Sequence, residues 1–214
     1  MPNVKSGRAY DSVLRKEQAA QTRMRILDAA QRLFVGRGYG ATTMESIASE
    51  AGVATDTVYA SFRNKAGLLH KLLDVRVGGD ELPIRLLDRE GPQRVRAETT
   101  QGGQIAGFAA DIAKVLERAR PVDDIMRGAA AVDPEIAALR AKMQGLRYEN
   151  MRQFASWLAA KGPLRGGISA DEAAAIVWTL AAPEVNGLLR EGRGWSQQRY
   201  VAWLEDTLTR TLLN

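Results

Sequence analysis

Apolar residues along this chain recur at helical spacing, and almost nowhere do they alternate with polar residues as in a strand. Ile26, Ala30, Leu33 and Phe34 fall at i, i+4, i+7 and i+8, which places them on one face of a helix. The chain has 214 residues, which is long enough to bury a real core. The pattern therefore predicts an all-α fold.

Glycines and capping residues predict the helices of the first third. The first helix is expected to stop at Gly36-Arg37-Gly38, because glycines allow the positive φ of a C-cap. Thr42 and Glu45 have the spacing of a capping box, so a second helix is expected to begin there. It ends at Gly52, a short third helix follows, and Asn64 can cap a fourth.

Prolines, glycines and capping residues also divide the rest of the chain. Residues 80–103 are expected to form an irregular connection with one helical turn near Leu86. The later helices are predicted over about 104–120, stopped by Pro121; from Asp133-Pro134 to about Ala160; from Ser169, interrupted at Pro183; and from Ser196 onward.

The positive charge is concentrated at the N-terminal end. The net charge is +5; the first 75 residues hold 11 Lys/Arg and 7 Asp/Glu, and the remainder holds 19 and 18. The excess is thus 11 − 7 = +4 against 19 − 18 = +1. This asymmetry indicates a polyanion partner at that end, although a solvated basic surface has the same composition.

Composition argues against several classes of function. There is no cysteine, so disulfides and thiolate sites are excluded, and His70 is the only histidine. A Ser-His-Asp site or a histidine metal cluster would have to rest on this one residue, and no such arrangement can be argued from a single histidine in a helix, so we expect no enzyme, cofactor or metal. No apolar run approaches the roughly 18 to 20 residues of a membrane span, and the N-terminus lacks the apolar middle of a signal peptide. A cytoplasmic protein with no membrane partner is expected.

Two short predicted helices flanking a glycine turn form a helix-turn-helix, made of residues 43–50, 51–53 and 54–60. In such a motif the second helix enters the major groove of DNA. The Tyr59 hydroxyl can donate to a phosphate, Lys65 adds an ammonium at a helix start, and Asp56 can accept from a cytosine amine. The predicted DNA contacts are Thr43, Thr55, Asp56, Thr57, Tyr59, Ala60, Ser61 and Lys65.

The stretch "GYGATTMESIASEAGVATDTVYASFRNKAGLLHKLL" resembles the N-terminal domain of tetracycline-repressor (TetR) family regulators, the group that includes AcrR. The resemblance rests on Thr42-Thr43, Ile47-Ala48, Ala51-Gly52-Val53, Val58-Tyr59, Phe62 and Lys65 at fixed spacing. It implies a homodimer that binds palindromic operator DNA as a repressor and is released by a small molecule in its C-terminal domain. The implied organisation is a flexible basic arm over 1–20, a three-helix DNA-binding domain over 21–65, and a larger helical ligand-binding and dimerisation domain over 66–214.

Two departures from the family keep a second interpretation open. Many members have a capping serine where this chain has Ala54, and a small residue where it has Asp56. Loss of a cap weakens the start of the recognition helix, and phosphates repel a carboxylate. The alternative is a helical ligand-binding or scaffolding protein of the same fold without specific DNA recognition.

The predicted C-terminal domain holds candidates for a ligand cavity and a dimer interface. Methionine and aromatic residues line adaptable cavities, although each is equally suited to a core. The ligand candidates are Phe108, Met126, Met143, Arg147, Asn150, Met151 and Phe154. The last helices carry apolar faces that a two-fold axis could bury. The interface candidates are Ile176, Leu180, Leu188, Leu189, Tyr200, Trp203, Leu208 and Leu212.

Overall fold

The structure, a computed structural model, describes the backbone of residues 5–214 and the side chains of residues 14–214. Within those residues it contains helices and no strand, which confirms the all-α prediction. The α-helices are α1 (Lys5–Ala41), α2 (Met44–Ala51), α3 (Thr55–Phe62), α4 (Lys65–Gly78), α5 (Glu90–Ala97), α6 (Gln101–Ala130), α7 (Pro134–Ala159), α8 (Ala170–Leu180), α9 (Pro183–Gly187) and α10 (Gln197–Leu212). None of the described helices is long and apolar enough to cross a membrane.

The chain divides into two compact units, Met1–Asp74 and Val75–Asn214. The division falls inside α4, later in the chain than the boundary expected after Lys65.

Helix α1 begins earlier than the sequence interpretation has it. Residues 1–4 of the expected basic arm lie outside the described residues, but the chain is helical from Lys5 onward. No glycine or proline interrupts residues 8–35, and the intervening Leu, Arg, Lys, Glu, Gln and Ala residues favour helix. At the other end, Gly38 has φ 81° and ψ 160°, so helical geometry breaks within the predicted glycine segment.

Helices α1 to α4 form the core of the first unit. The predicted apolar stripe of α1 is buried, and α2 and α3 add Ile47, Val58 and Phe62 to it. The capping box of α2 is one residue later than predicted, with Thr43 and Ser46 as the reciprocal pair. Thr42 is buried instead, and its hydroxyl donates to the Gly38 carbonyl at 2.9 Å.

Two prolines of the second unit lie within helices, although the sequence interpretation placed one at a helix end and the other in an irregular connection. Pro121 lies inside α6 and does not stop it, because apolar residues on both sides of it, such as Leu116 and Val122, are buried in the core. The buried face outweighs the one backbone hydrogen bond that a proline forfeits. Pro92 lies in the first turn of α5, where an N–H has no helical partner to lose. The irregular connection predicted over 80–103 therefore contains a second helical element.

The remaining predicted boundaries of the second unit agree with the structure. Asp133 caps α7, accepting from the N–H groups of residues 135 and 136, and Ser169 forms a capping box with Glu172 at the start of α8. Pro183 begins α9 after a break, and Ser196 caps α10.

Three residues that the sequence assigned to a dimer interface lie in the core of the second unit. Tyr200, Leu208 and Leu212 have no exposed surface in a single chain. They pack with residues of α6, α7 and α8, including the stacked pair Phe108 and Phe154. Because the chain already buries them, the interface prediction was wrong for these three.

Asp123 is a buried carboxylate on α6 whose desolvation raises its pKa, although the nearby Arg140 charge opposes this. A raised pKa stabilises the fold only at low pH, and the contribution is lost as the pH rises through the folded-state pKa. We expect Asp123→Asn to increase the free energy of unfolding at neutral pH, with the gain shrinking as the pH falls toward the ordinary value of 3.8.

Urea unfolding at a series of pH values measures this. The neighbouring Asp124 is the matched control, because it pairs with Arg120 at 2.6 Å and Asp124→Asn should lower stability at neutral pH. If Asp123→Asn is destabilising at neutral pH, the buried carboxylate is stabilised by its surroundings and our assignment fails.

Candidate nucleic-acid interface and ligand cavity

A tight turn fixes the angle between α2 and α3. Gly52 is left-handed, with φ 65° and ψ 43°, a conformation in which glycine meets no Cβ clash. Its N–H donates to the carbonyls of the last turn of α2, and the Val53 N–H donates to the Ala48 carbonyl at 3.0 Å. The two helices with this turn constitute the predicted helix-turn-helix.

Helix α3 turns its large apolar residues inward and its small polar ones outward. Val58 and Phe62 are buried. The residues predicted to contact DNA occupy the other face, with Asp56, Tyr59, Ala60 and Ser61 exposed and Thr55 and Thr57 half-buried. This outward face of small side chains can approach base edges closely in a major groove.

The start of α3 carries no side-chain cap. Ala54 occupies the N-cap position in an extended conformation and makes no side-chain hydrogen bond. The Thr57 N–H donates to the Ala54 carbonyl at 3.0 Å, and the N–H groups of Thr55 and Asp56 have no side-chain cap that would compete with water or a phosphate oxygen.

Tyr59 lies beside Glu45, which the sequence analysis had assigned to a capping box and not to a contact with Tyr59. Its side chain is 44% exposed and its hydroxyl donates to Glu45 Oε1 at 3.3 Å. Desolvation and the Glu45 charge raise the pKa of Tyr59, while a backbone hydrogen bond and Thr43 hold the pKa of Glu45 below its ordinary value. The hydroxyl is therefore a donor, and a phosphate would have to replace Glu45 as its acceptor.

Lys65 serves as a structural cation. Its Nζ donates to the carbonyls of Tyr39 at 2.8 Å and Thr42 at 2.9 Å, and lies 4.3 Å from the centre of the Tyr39 ring. These carbonyls belong to the end of α1 and the segment before α2, so Lys65 ties both to the start of α4. An ammonium has three N–H groups, which leaves one for a phosphate.

Two hydroxyls of the predicted contact set are partly engaged. Ser61 Oγ donates to the Thr57 carbonyl at 2.8 Å within α3. Thr43 Oγ1 accepts from the Ser46 N–H at 3.1 Å as the cap of α2, and its hydroxyl is also hydrogen-bonded to the Glu45 carboxylate. A phosphate would therefore have to replace an existing partner of either hydroxyl.

Arg63, between α3 and α4, adopts a strained turn that the sequence did not indicate. Its φ of 63° and ψ of −53°, with the Asn64 N–H donating to the Phe62 carbonyl at 2.6 Å, define a γ-turn with a positive φ. This conformation is rare for a residue with a Cβ. Its side chain is exposed, so the strained turn directs a cation into solvent next to the outer face of α3.

We expect Arg63→Gly to stabilise the first unit by about 1 kcal/mol, because glycine adopts this turn without the steric cost. Chemical unfolding followed by far-UV circular dichroism measures the gain. Arg37→Gly, on the exposed end of α1, is a control that should not stabilise. Destabilisation by Arg63→Gly would mean that the guanidinium contributes more than the turn costs.

The second unit contains a cavity of about 280 Å³. Four of the predicted ligand residues line it, namely Phe108, Asn150, Met151 and Phe154. The phenylalanine rings are stacked, with centroids 4.2 Å apart and planes 16° apart. The other lining residues come from the end of α4, the turn at 86–89, α5, α6 and α7, with Trp157 among them.

Three predicted ligand residues do not line this cavity. Met126 is fully buried in the core, and Met143 is half-buried elsewhere on α7. The Arg147 guanidinium lies 5.0 Å from the Trp178 ring centre and donates to the Trp178 carbonyl, while burial lowers its pKa. On α7, the predicted residues that do line the cavity all lie in the second half of the helix, namely Asn150, Met151 and Phe154.

The cavity also contains charged residues that the sequence interpretation missed. They are Arg89, Arg94, Asp111, Lys114 and Arg118. On α6, Phe108, Asp111, Val115 and Arg118 follow helical spacing, so the signal was present as one mixed apolar and charged face.

Part of the predicted dimer interface is exposed in the single chain. Leu188 is 69% exposed, and Ile176, Leu180, Leu189 and Trp203 are half-buried. These five remain available to a second copy of the chain.

Comparisons with known proteins agree with this geometry. Residues 26–72 match the model of the family described as bacterial regulatory proteins, tetR family. The first unit therefore contains a tetR-family segment. That tetR-family segment contains α2, α3 and most of α4.

The matched relatives are named as transcriptional regulators and not as enzymes. The chain is 48% identical over 59 residues to the HTH-type transcriptional regulator TtgR of Pseudomonas putida, and this match spans only 28% of the length of either protein. A longer match, 25% identical over 186 residues, covers 84% of this chain and 86% of the HTH-type transcriptional repressor BepR of Brucella suis biovar 1.

The fold is also found among solved structures. The crystal structure of NalD, the secondary repressor of the MexAB-OprM multidrug efflux pump in Pseudomonas aeruginosa, is similar with a TM-score of 0.67 and 22% identity. The match covers 92% of this chain and 98% of NalD. At this identity the likeness shows the fold alone.

Proposed function

We propose that the chain is a ligand-responsive transcriptional repressor that binds palindromic operator DNA as a homodimer and releases it when a small molecule occupies the second unit. The observation that carries the proposal is the outer face of α3, which is small, polar and exposed within a tetR-family helix-turn-helix.

The first unit supplies two kinds of DNA contact. Thr55, Asp56 and Thr57, at the start of α3, would face base edges, while Thr43 and Tyr59 would donate to phosphates. The positive excess of the first 75 residues favours approach to a polyanion. Asp56 works against phosphate contact, so its place in the groove fits a base-reading role such as acceptance from a cytosine amine.

The second unit supplies the dimer and the response. A palindrome presents two equivalent half-sites, and two chains related by a two-fold axis would match them. A ligand in the cavity lowers DNA affinity only if it binds more tightly to a conformation that fits the operator less well. The coupling free energy then equals the difference in ligand affinity between the two conformations.

A selection from a library of random-sequence duplexes tests the proposal. The full chain is expected to enrich one palindromic sequence, and Asp56→Asn is expected to relax the preference at one position in each half-site. Enrichment of a single site without inverted symmetry would contradict the homodimer.

The alternative, a helical ligand-binding or scaffolding protein without specific DNA recognition, is favoured by one feature. Helix α3 begins at Ala54 without a side-chain cap and places the exposed Asp56 in its first turn. If the selection enriches no sequence while the cavity still binds small molecules, this alternative replaces the repressor.

A further inference from the structure

The cavity of the second unit has an uneven charge distribution. Its lining contains four cationic side chains and one carboxylate, so the sum is 4 − 1 = +3. Two further carboxylates lie within ion-pair distance of these cations, Asp80 with Arg89 and Glu90 with Arg94. When both are subtracted, 3 − 2 leaves one positive charge unmatched.

Arg118 carries the unmatched charge. Its Nε donates to the Arg76 carbonyl at 3.1 Å and its Nη2 to the Val77 carbonyl at 3.4 Å. Both carbonyls belong to the last turn of α4, and no carboxylate among the described residues forms an ion pair with Arg118. A guanidinium held by neutral carbonyls keeps its full charge and has N–H groups left for an anion.

Arg89, like Arg118, lies near the end of α4, but its positive charge is already neutralised. Its guanidinium makes a bidentate pair with Asp80, with N–O distances of 2.8 and 2.9 Å. A Cβ on Gly78 would lie 2.9 Å from Arg89 Nη2, so the glycine allows this guanidinium to pack against the helix end. Arg89 thus shapes the cavity near Arg118 and leaves Arg118 as the charge available to a ligand.

The one lining carboxylate, Asp111, is poorly suited to bind a cation. Arg94 Nη2 lies 3.5 Å from it and Lys114 Nζ 3.6 Å, so two cations already balance its charge. Its Oδ2 also packs against the backbone of α5, within 2.4 Å of where a Cβ on Gly91 would stand.

The opposite part of the lining is apolar. The stacked rings of Phe108 and Phe154 lie there with Met151 and Trp157 close by on α7. Phe108 and Arg118 are ten residues apart on α6, which corresponds to about 15 Å along the helix axis. One end of the cavity can therefore hold an apolar body while the other meets a charged group.

We propose that the cavity takes a small amphipathic organic anion, whose carboxylate or similar acidic group pairs with Arg118 and whose apolar body packs on Phe108 and Phe154. The volume of about 280 Å³ limits the ligand to a small molecule. The proposal rests on the proposed function, because it assigns the chemical class of the effector of that same cavity.

Calorimetric titration of the full chain without DNA tests the class with three probes of matched shape: naphthalene-acetate, its neutral acetamide, and naphthalene-ethylammonium. We expect the acetate to bind about tenfold more tightly than the acetamide, since a charge-assisted hydrogen bond adds that much, and the ammonium to bind most weakly. Tighter or equal binding of the ammonium or the acetamide would overturn the assignment, and so would the absence of saturable binding by all three.

Variants locate the charge. Arg118→Gln should abolish the preference for the acetate over the acetamide, because the glutamine amide can take the place of Nε at the Arg76 carbonyl but carries no charge. Asp111→Asn should raise acetate affinity a few-fold, whereas it would weaken a cation. Arg96→Gln is the matched control, an exposed cation on α5 outside the cavity lining. An unchanged acetate preference in Arg118→Gln would overturn the role given to this residue.

A second titration, with operator DNA, separates this proposal from the repressor. Selective acetate binding without any loss of DNA affinity would contradict ligand-induced release and leave the ligand class intact. Conversely, release of DNA by the ammonium alone would support release and overturn the class.

Discussion

Leu188→Glu is expected to give a monomer with about 10²- to 10⁴-fold weaker operator binding, because the two half-sites would no longer be engaged by one linked pair. Leu188 is 69% exposed, so the substitution should leave the fold of the single chain intact. In a dimer, however, the new carboxylate would be buried without a partner, which costs several kcal/mol. Analytical ultracentrifugation gives the mass and fluorescence anisotropy the DNA affinity.

Val132→Glu is the matched control for this experiment. Val132 is 87% exposed in the connection between α6 and α7, outside the proposed interface, so its variant should remain dimeric and bind operator normally. If the wild-type chain sediments at 23.4 kDa, the mass of a monomer, at micromolar concentration, both the proposed dimer interface and the palindromic operator are contradicted.

Lys65→Ala is expected to weaken the first unit and DNA binding together. The ammonium donates to the carbonyls of Tyr39 and Thr42, and hydrogen bonds to charged groups contribute about 1.5–3 kcal/mol each. The unfolding free energy should therefore fall by about 2–4 kcal/mol, since the two bonds share one cation and are not additive. If the third N–H contacts a phosphate, the slope of log affinity against log salt should also become shallower by about one unit per half-site.

Two further variants separate these contributions. Lys71→Ala removes a partly exposed lysine whose partner is Asp74 on the same helix, so stability should change little. Lys65→Arg keeps the charge and tests whether the compact ammonium is required between the two carbonyls. A destabilised Lys65→Ala variant with an unchanged salt slope would mean that Lys65 is purely structural.

The sequence predicted the first unit well because its signals are local. The apolar stripe of α1, the glycine turn at Gly52 and the inward residues of α3 are set by neighbours within a few turns of the chain. One error there is also local: the capping box uses Thr43 and Ser46 because Thr42 is drawn into the core.

The second unit was harder to predict because long-range packing decides it. Pro121 lies in a continuous helix because the residues around it are buried. The rule that proline ends a helix cannot anticipate this, since it considers only the local sequence. Tyr200 belongs to the chain's own core and not to an interface, although an apolar helix face has the same pattern in either case. In the first unit, the structural role of Lys65 was missed for the same reason, because it depends on two carbonyls more than twenty residues earlier in the chain.

Sequence-specific operator recognition is tested by comparing the affinity of the full chain for its selected palindrome with that for a shuffled duplex of equal length. At physiological salt we expect a ratio of about 10³ or more, the usual difference between specific and non-specific binding. Equal affinities for the two duplexes, both falling steeply with added salt, would show that the basic first unit attracts DNA without reading its sequence.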